Sequence, residues 1–88
     1  METYTVYILH SPKYDKYYIG QTENFASRLQ LHNAGLVQST KPYISWEVTL
    51  TLSKPSRSEA MILEKKLKNL NRMRLLQFIT KYSGENSI

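Results

Sequence analysis

Tyr4-Thr5-Val6-Tyr7-Ile8-Leu9 is the stretch on which the fold turns. Apolar and aromatic side chains fall on both of its faces. A strand built from it needs cover on two sides, so residues 4–10 belong at the centre of a sheet rather than at its edge. Ser11-Pro12-Lys13-Tyr14-Asp15-Lys16 then reads as a polar turn with proline as its breaker. Residues 17–21, beginning Tyr17-Tyr18-Ile19-Gly20, read as a second strand, and the pair as a hairpin.

Beyond the hairpin the periodicity changes. Asn24 suits the N-cap of a helix running to about Asn33, with Gly35 at its far end and Phe25, Leu29 and His32 on one face. Residues 35–45 read as a loop. Its Ser39, Thr40, Lys41 and Pro42 suit backbone or phosphate contacts better than a core. Trp46, Val48, Leu50 and Leu52 alternate with Glu47, Thr49 and Thr51, which predicts a strand with one buried face. Lys54-Pro55 ends it. Ser56-Arg57-Ser58-Glu59 matches a capping box, and the helix after it is predicted to bury Ala60, Leu63, Leu67 and Leu70. A last helix puts Leu75, Phe78, Ile79 and Tyr82 on one face. The order is β-β-α-β-α-α: an α+β fold in which helices cover a three-stranded sheet. Residues 1–82 form a single domain in this reading, and 83–88 a frayed tail.

Composition narrows the function classes. The 88 residues contain no cysteine, which removes disulfides, thiolate metal sites and a cysteine nucleophile. No apolar run approaches the length of a membrane span, and no signal segment opens the chain. A soluble, cytoplasmic protein with no membrane partner is therefore expected. A net charge of +5 favours an anionic partner such as nucleic acid, although an ordinary basic surface has the same signature. Lys65, Lys66, Lys68, Arg72 and Arg74 make a charge-rich helical region that either grips a phosphate backbone or is simply solvated.

Four residues carry chemistry. Tyr7 and Tyr18 offer phenols for proton handling, Arg28 a guanidinium for phosphate, and Glu64 a carboxylate for a hard cation. Each has a plain structural reading beside it. Tyrosines are common in strands, Arg28 sits on a helix, and Glu64 pairs readily with Lys68 one turn on. Glu59 and Glu64 are turned apart on their helix, and Glu59 caps it. A site with several clustered carboxylates and two metals therefore does not arise.

These residues, in this order, resemble the GIY-YIG nuclease domain, in particular small stand-alone bacterial proteins made of that domain alone. The first motif appears as Thr5-Val6-Tyr7 and the second as Tyr18-Ile19-Gly20. The arginine follows Gly20 by eight positions at Arg28, Asn24 precedes it and His32 lies one turn after it. The glutamate of a Ser-Glu-Ala…Glu-Lys pattern falls on Glu64. The likeness covers roughly residues 4–80. It implies an antiparallel sheet flanked by helices and magnesium- or manganese-dependent cleavage of nucleic acid. Tyr7, Tyr18, Arg28, His32 and Glu64 would be catalytic and Glu64 would bind the metal; Tyr7 is the candidate base, its pKa lowered by Arg28 and the ion, with Tyr18 positioning the water or helping, and the two phenols could exchange these roles. DNA is the expected substrate, with structured or repair-related DNA included and a protein partner for targeting. Asn24, Thr40, Lys41 and Lys68 are the expected nucleic-acid contacts. Two departures stand out: Thr5 replaces the first motif's glycine, and Gln21 stands where some members have a lysine. A nucleic-acid-binding module that keeps the fold without cutting is the alternative.

Overall fold

The computed structural model of the chain describes residues 3–85. Strands β1 (Tyr4–Ser11) and β2 (Lys16–Thr22) form the hairpin, α1 (Phe25–Asn33) follows, and β3 (Glu47–Lys54) precedes α2 (Arg57–Lys68) and α3 (Arg72–Glu85). The sheet order is β2-β1-β3, with both pairings antiparallel. β1 is thus central, as its two-faced composition demands. The last helix continues to Glu85, past the expected boundary at residue 82; the remainder of the tail expected to fray, 86–88, lies outside the described residues.

The alternation of β1 sorts the core into two clusters. Val6 and Ile8 face one side with Ile19 and Leu50, against Ala60 and Leu67 of α2 and Leu75 of α3. Tyr7 and Leu9 face the other side with Trp46, and Tyr18, Phe25, Leu29 and Tyr43 pack around them. The first cluster is aliphatic and holds the fold; each fully buried side chain such as Leu67 contributes about 1.5–3 kcal/mol. The second is aromatic and carries the polar groups described below.

β3 departs from the strict alternation. Ile8 pairs with Leu50 but Leu9 pairs with Val48, so Thr49 is an extra residue in a bulge. The bulge turns everything before it to the opposite face. Trp46 and Leu50, read as companions on one buried face, therefore lie in different clusters. Val48, expected in the core, is 46% exposed.

Helix ends follow their capping residues. The Asn24 side chain accepts from the Ser27 N–H at 3.1 Å. Beyond α1, Gly35 takes φ 76°, and the Leu36 N–H returns to the Leu31 carbonyl at 3.0 Å. Ser56 accepts from the Glu59 N–H at 3.3 Å, but the reciprocal half of the expected box differs. The Ser56 hydroxyl, not its backbone N–H, donates to the Glu59 carboxylate at 3.3 Å. Within the segment read as a loop, Lys41–Tyr43 form one 3-10 turn. At the hairpin end the Asp15 carboxylate accepts from the Arg72 guanidinium at 2.6 Å and pairs with His10 at 3.0 Å, tying the β1–β2 turn to the start of α3.

Candidate active site

Tyr7 projects from the central strand into the aromatic cluster and is 1% exposed. Its cross-strand neighbour on β2 is Gly20. A Cβ at that position would lie 2.5 Å from the Tyr7 hydroxyl oxygen and 2.6 Å from Cζ, so a glycine is needed there for the ring to lie across β2. Tyr18, two residues earlier on β2, places its ring centroid 6.2 Å from that of Tyr7 and 5.0 Å from that of His32. The pleat thus brings both phenols to one face, while Tyr17 goes to the other and stacks on His10 at 4.6 Å.

A buried hydrogen-bond chain fixes the proton on His32. The Thr40 hydroxyl donates to the Val37 carbonyl at 3.3 Å, so its oxygen accepts from His32 Nδ1–H at 2.8 Å. Nε2 is then the bare nitrogen, and the Tyr7 hydroxyl donates to it at 3.0 Å. Burial lowers the His32 pKa, and the charge of Arg28 lowers it further, so the ring is held neutral and ready to accept. Thr40 is itself held in place. Its carbonyl accepts from Trp46 Nε1 at 3.1 Å, and the Asn33 side chain grips the Trp46 backbone through both N–H (2.6 Å) and carbonyl (3.1 Å).

Arg28, on α1, interacts with both phenols, and hydrogen bonding to Tyr7 is the leading cause that holds its proton more tightly. The reciprocal effect on Tyr7 has the expected sign but loses to burial. Desolvation raises the Tyr7 pKa, Arg28 pulls it down by less, and the net direction is up. Arg28 thus acts on the phenol in the expected direction, but the expected net lowering does not follow, because burial, Tyr18 and Glu64 all push the other way. The resting phenol keeps its proton, and His32 is where that proton can go.

Glu64 is carried by α2, which packs against β1 and β2 on the face that Val6 and Ile8 present. Its charge acts on Tyr7, raising the phenol's pKa. Its side chain is 20% exposed, and the carboxylate pairs with Lys68 at 2.9 Å, the plain structural contact that its spacing allows. Among the described residues no three His, Cys, Asp or Glu side chains cluster to enclose a metal. One hard carboxylate with a displaceable lysine partner does fit a cation that keeps most of its waters and takes further oxygens from a substrate phosphate.

Of the expected nucleic-acid contacts, Lys41 is exposed, while Asn24 spends its side-chain oxygen on the α1 cap and Lys68 is engaged with Glu64. Thr40 is corrected outright. Its buried hydroxyl is spent in both directions, on His32 and on the Val37 carbonyl, which leaves nothing for a phosphate, and it serves the site from within. Thr40 and Asn33 are the functional residues that sequence reasoning missed in these roles. Their partners lie across a loop with no periodicity to place them.

Both phenols lie on one sheet face with Arg28 acting on them, while Glu64 comes from α2, the helix that covers the other face. The profile described as the GIY-YIG catalytic domain matches residues 3–77, and the chain belongs to that family. Among solved structures, the chain is similar to the solution NMR structure of the UPF0213 protein from Bacillus halodurans, with a TM-score of 0.60 and 29% identity over 89% of this chain and 83% of that one. Nothing among the curated proteins matches it.

Proposed function

We propose that the protein is a magnesium-dependent endonuclease that hydrolyses phosphodiester bonds in DNA, with manganese as a substitute ion. The observation that carries this is the buried Tyr7–His32–Thr40 chain beside Arg28. A phenol that already donates to a neutral imidazole can take a proton from water as it gives one up. In the reaction, the water proton passes to the Tyr7 oxygen while the Tyr7 proton passes to His32 Nε2. The water oxygen bonds to phosphorus in line with the breaking bond to the 3′ oxygen, which leaves and is protonated by solvent. Arg28 offsets the charge gathering on the phosphate. Tyr18, beside Tyr7, positions the attacking water. Glu64 would hold the ion, whose chemistry when bound is to offset charge on the leaving oxygen. Burial and Arg28 both disfavour the imidazolium, so His32 hands its proton back to the Tyr7 oxygen, the one group between it and the reacting water, and the proton leaves the site from there after each turnover.

A charge of +5 supports nucleic acid as the substrate, and structured or repair-related DNA, or a targeting partner, would supply selectivity. A cytoplasmic setting agrees with a chain in which no helix among the described residues is long and apolar enough to cross a membrane. The test is cleavage of plasmid and of branched or flapped DNA with magnesium, comparing wild type with Glu64→Ala and Arg28→Ala. Loss in both variants is the expected result; equal activity in all three means a contaminant and ends the proposal. The Glu64–Lys68 pair favours one other reading, a domain that binds nucleic acid without cutting it. Binding unchanged by Glu64→Ala, with no cleavage under any divalent cation, would select it.

A further inference from the structure

From Tyr18 a run of aromatic rings continues along the same sheet face, away from Tyr7. Trp46 lies 6.3 Å from Tyr18, Tyr43 lies 6.5 Å from Trp46, and Tyr14 lies 5.5 Å from Tyr43. Burial falls along the run: Trp46 is buried, Tyr43 partly so, and Tyr14 is 44% exposed. Cations accompany the two outer rings. Lys13 Nζ stands 5.4 Å from the Tyr14 ring and Lys16 Nζ 5.0 Å from that of Tyr43. Among the described residues neither lysine is in an ion pair. The outer end of the run is anchored, because the Ser11 hydroxyl donates to the Tyr43 carbonyl at 2.6 Å.

Packing accounts for Trp46 and Tyr43 but not for Tyr14. A turn residue with a large exposed ring, one ammonium group beside it and another beside the ring it meets, serves the hydrophobic core poorly. It suits a polymer that alternates flat bases with phosphates, since every base offers a π face and every phosphate an anion. We propose that Tyr14 and Tyr43, flanked by Lys13 and Lys16, form a second nucleic-acid contact that takes an unpaired stretch of strand leading off the candidate active site, with a base stacked on Tyr14. The link to cleavage rests on the function proposed above; the platform itself does not.

The two are separated by measuring binding in a Glu64→Ala background, where no strand is cut. Fluorescence anisotropy would follow a labelled oligothymidylate and, in parallel, a blunt duplex. Tyr14→Leu should weaken oligothymidylate binding about tenfold, with a much smaller effect on the duplex, while Tyr14→Phe stays close to the parent. Replacing Lys13 and Lys16 together by Gln should flatten the log-affinity against log-salt slope for the single strand by about 1.4. Thermal melts of each variant confirm that the fold is intact, as expected for a turn residue and two surface lysines. Unchanged affinity and slope in these variants, an equal loss on the duplex, or no oligonucleotide binding by the parent at low salt would overturn the platform. Cleavage that survives such an outcome leaves the nuclease proposal standing. Platform binding with no cleavage by wild type defeats the nuclease proposal alone.

Discussion

At Tyr7 two demands compete, and the residues around it show how they are reconciled. Burial holds the proton on the phenol, while the base role proposed for it requires that the proton can be lost. His32 resolves the conflict by offering an acceptor, and Thr40 makes that acceptor available by occupying the other ring nitrogen. Thr40→Val should leave His32 Nδ1–H buried without a partner, at a cost of about 1–3 kcal/mol in urea unfolding. Nitrogen-15 NMR should then show the two neutral His32 tautomers mixed, with Thr40→Ser restoring the single one. Gly20→Ala acts by collision. Its methyl would meet the Tyr7 hydroxyl and ring carbon, so the ring must leave its place. A loss of about 1–3 kcal/mol is expected in the same measurement, together with loss of cleavage.

Among the elements, the sheet was the most legible and β3 the least faithful. The two-faced composition of Tyr4–Leu9 marked a central strand, and the polar stretch 11–16 with Pro12 as its breaker marked the hairpin. Both signals are local, and both survive folding. The alternation from Trp46 to Leu52 is just as clear, yet the bulge at Thr49 divides it, because residue spacing cannot register an extra residue accommodated by the partner strand. For the candidate site, Tyr7, Tyr18, Arg28 and Glu64 were singled out through the resemblance their order and spacing carry, whereas Thr40 and Asn33 make contacts that span an irregular loop. Asn33 illustrates the difference. At the end of α1 it looks like a simple helix terminus, but its amide pairs with the Trp46 backbone as a neighbouring strand would. Asn33→Ala should cost about 1–3 kcal/mol, two hydrogen bonds' worth. Trp46 fluorescence during denaturation is a direct reporter.

On the scale of the whole molecule, the two faces of the sheet divide the work between an aliphatic core and a polar aromatic one. That division predicts how stability depends on pH. His32 is held neutral in the folded protein, and its pKa lies below the ordinary value of about 6.5 that it regains on unfolding. Between those two values the unfolded chain binds the additional proton, so stability rises with pH. The contribution is fully present above about pH 7.5 and is lost as acidification passes 6.5 toward the folded pKa. Melting temperatures across this window should fall on the acid side, and His32→Gln should flatten that fall. Asp15, whose carboxyl is held low by hydrogen bonds to His10 and then Arg72, adds a separate loss at more acid pH.

The close approach of Tyr7 to Gly20 also links the fates of two positions far apart in the chain. If Tyr7 handles a proton as proposed, a descendant that abandoned this role and shrank the residue at position 7 would free position 20 to acquire a side chain; one that kept the large ring would have no such latitude. In a newly met relative, a bulky residue opposite the central strand's phenol position would therefore mark a domain that has given up hydrolysis while keeping its shape.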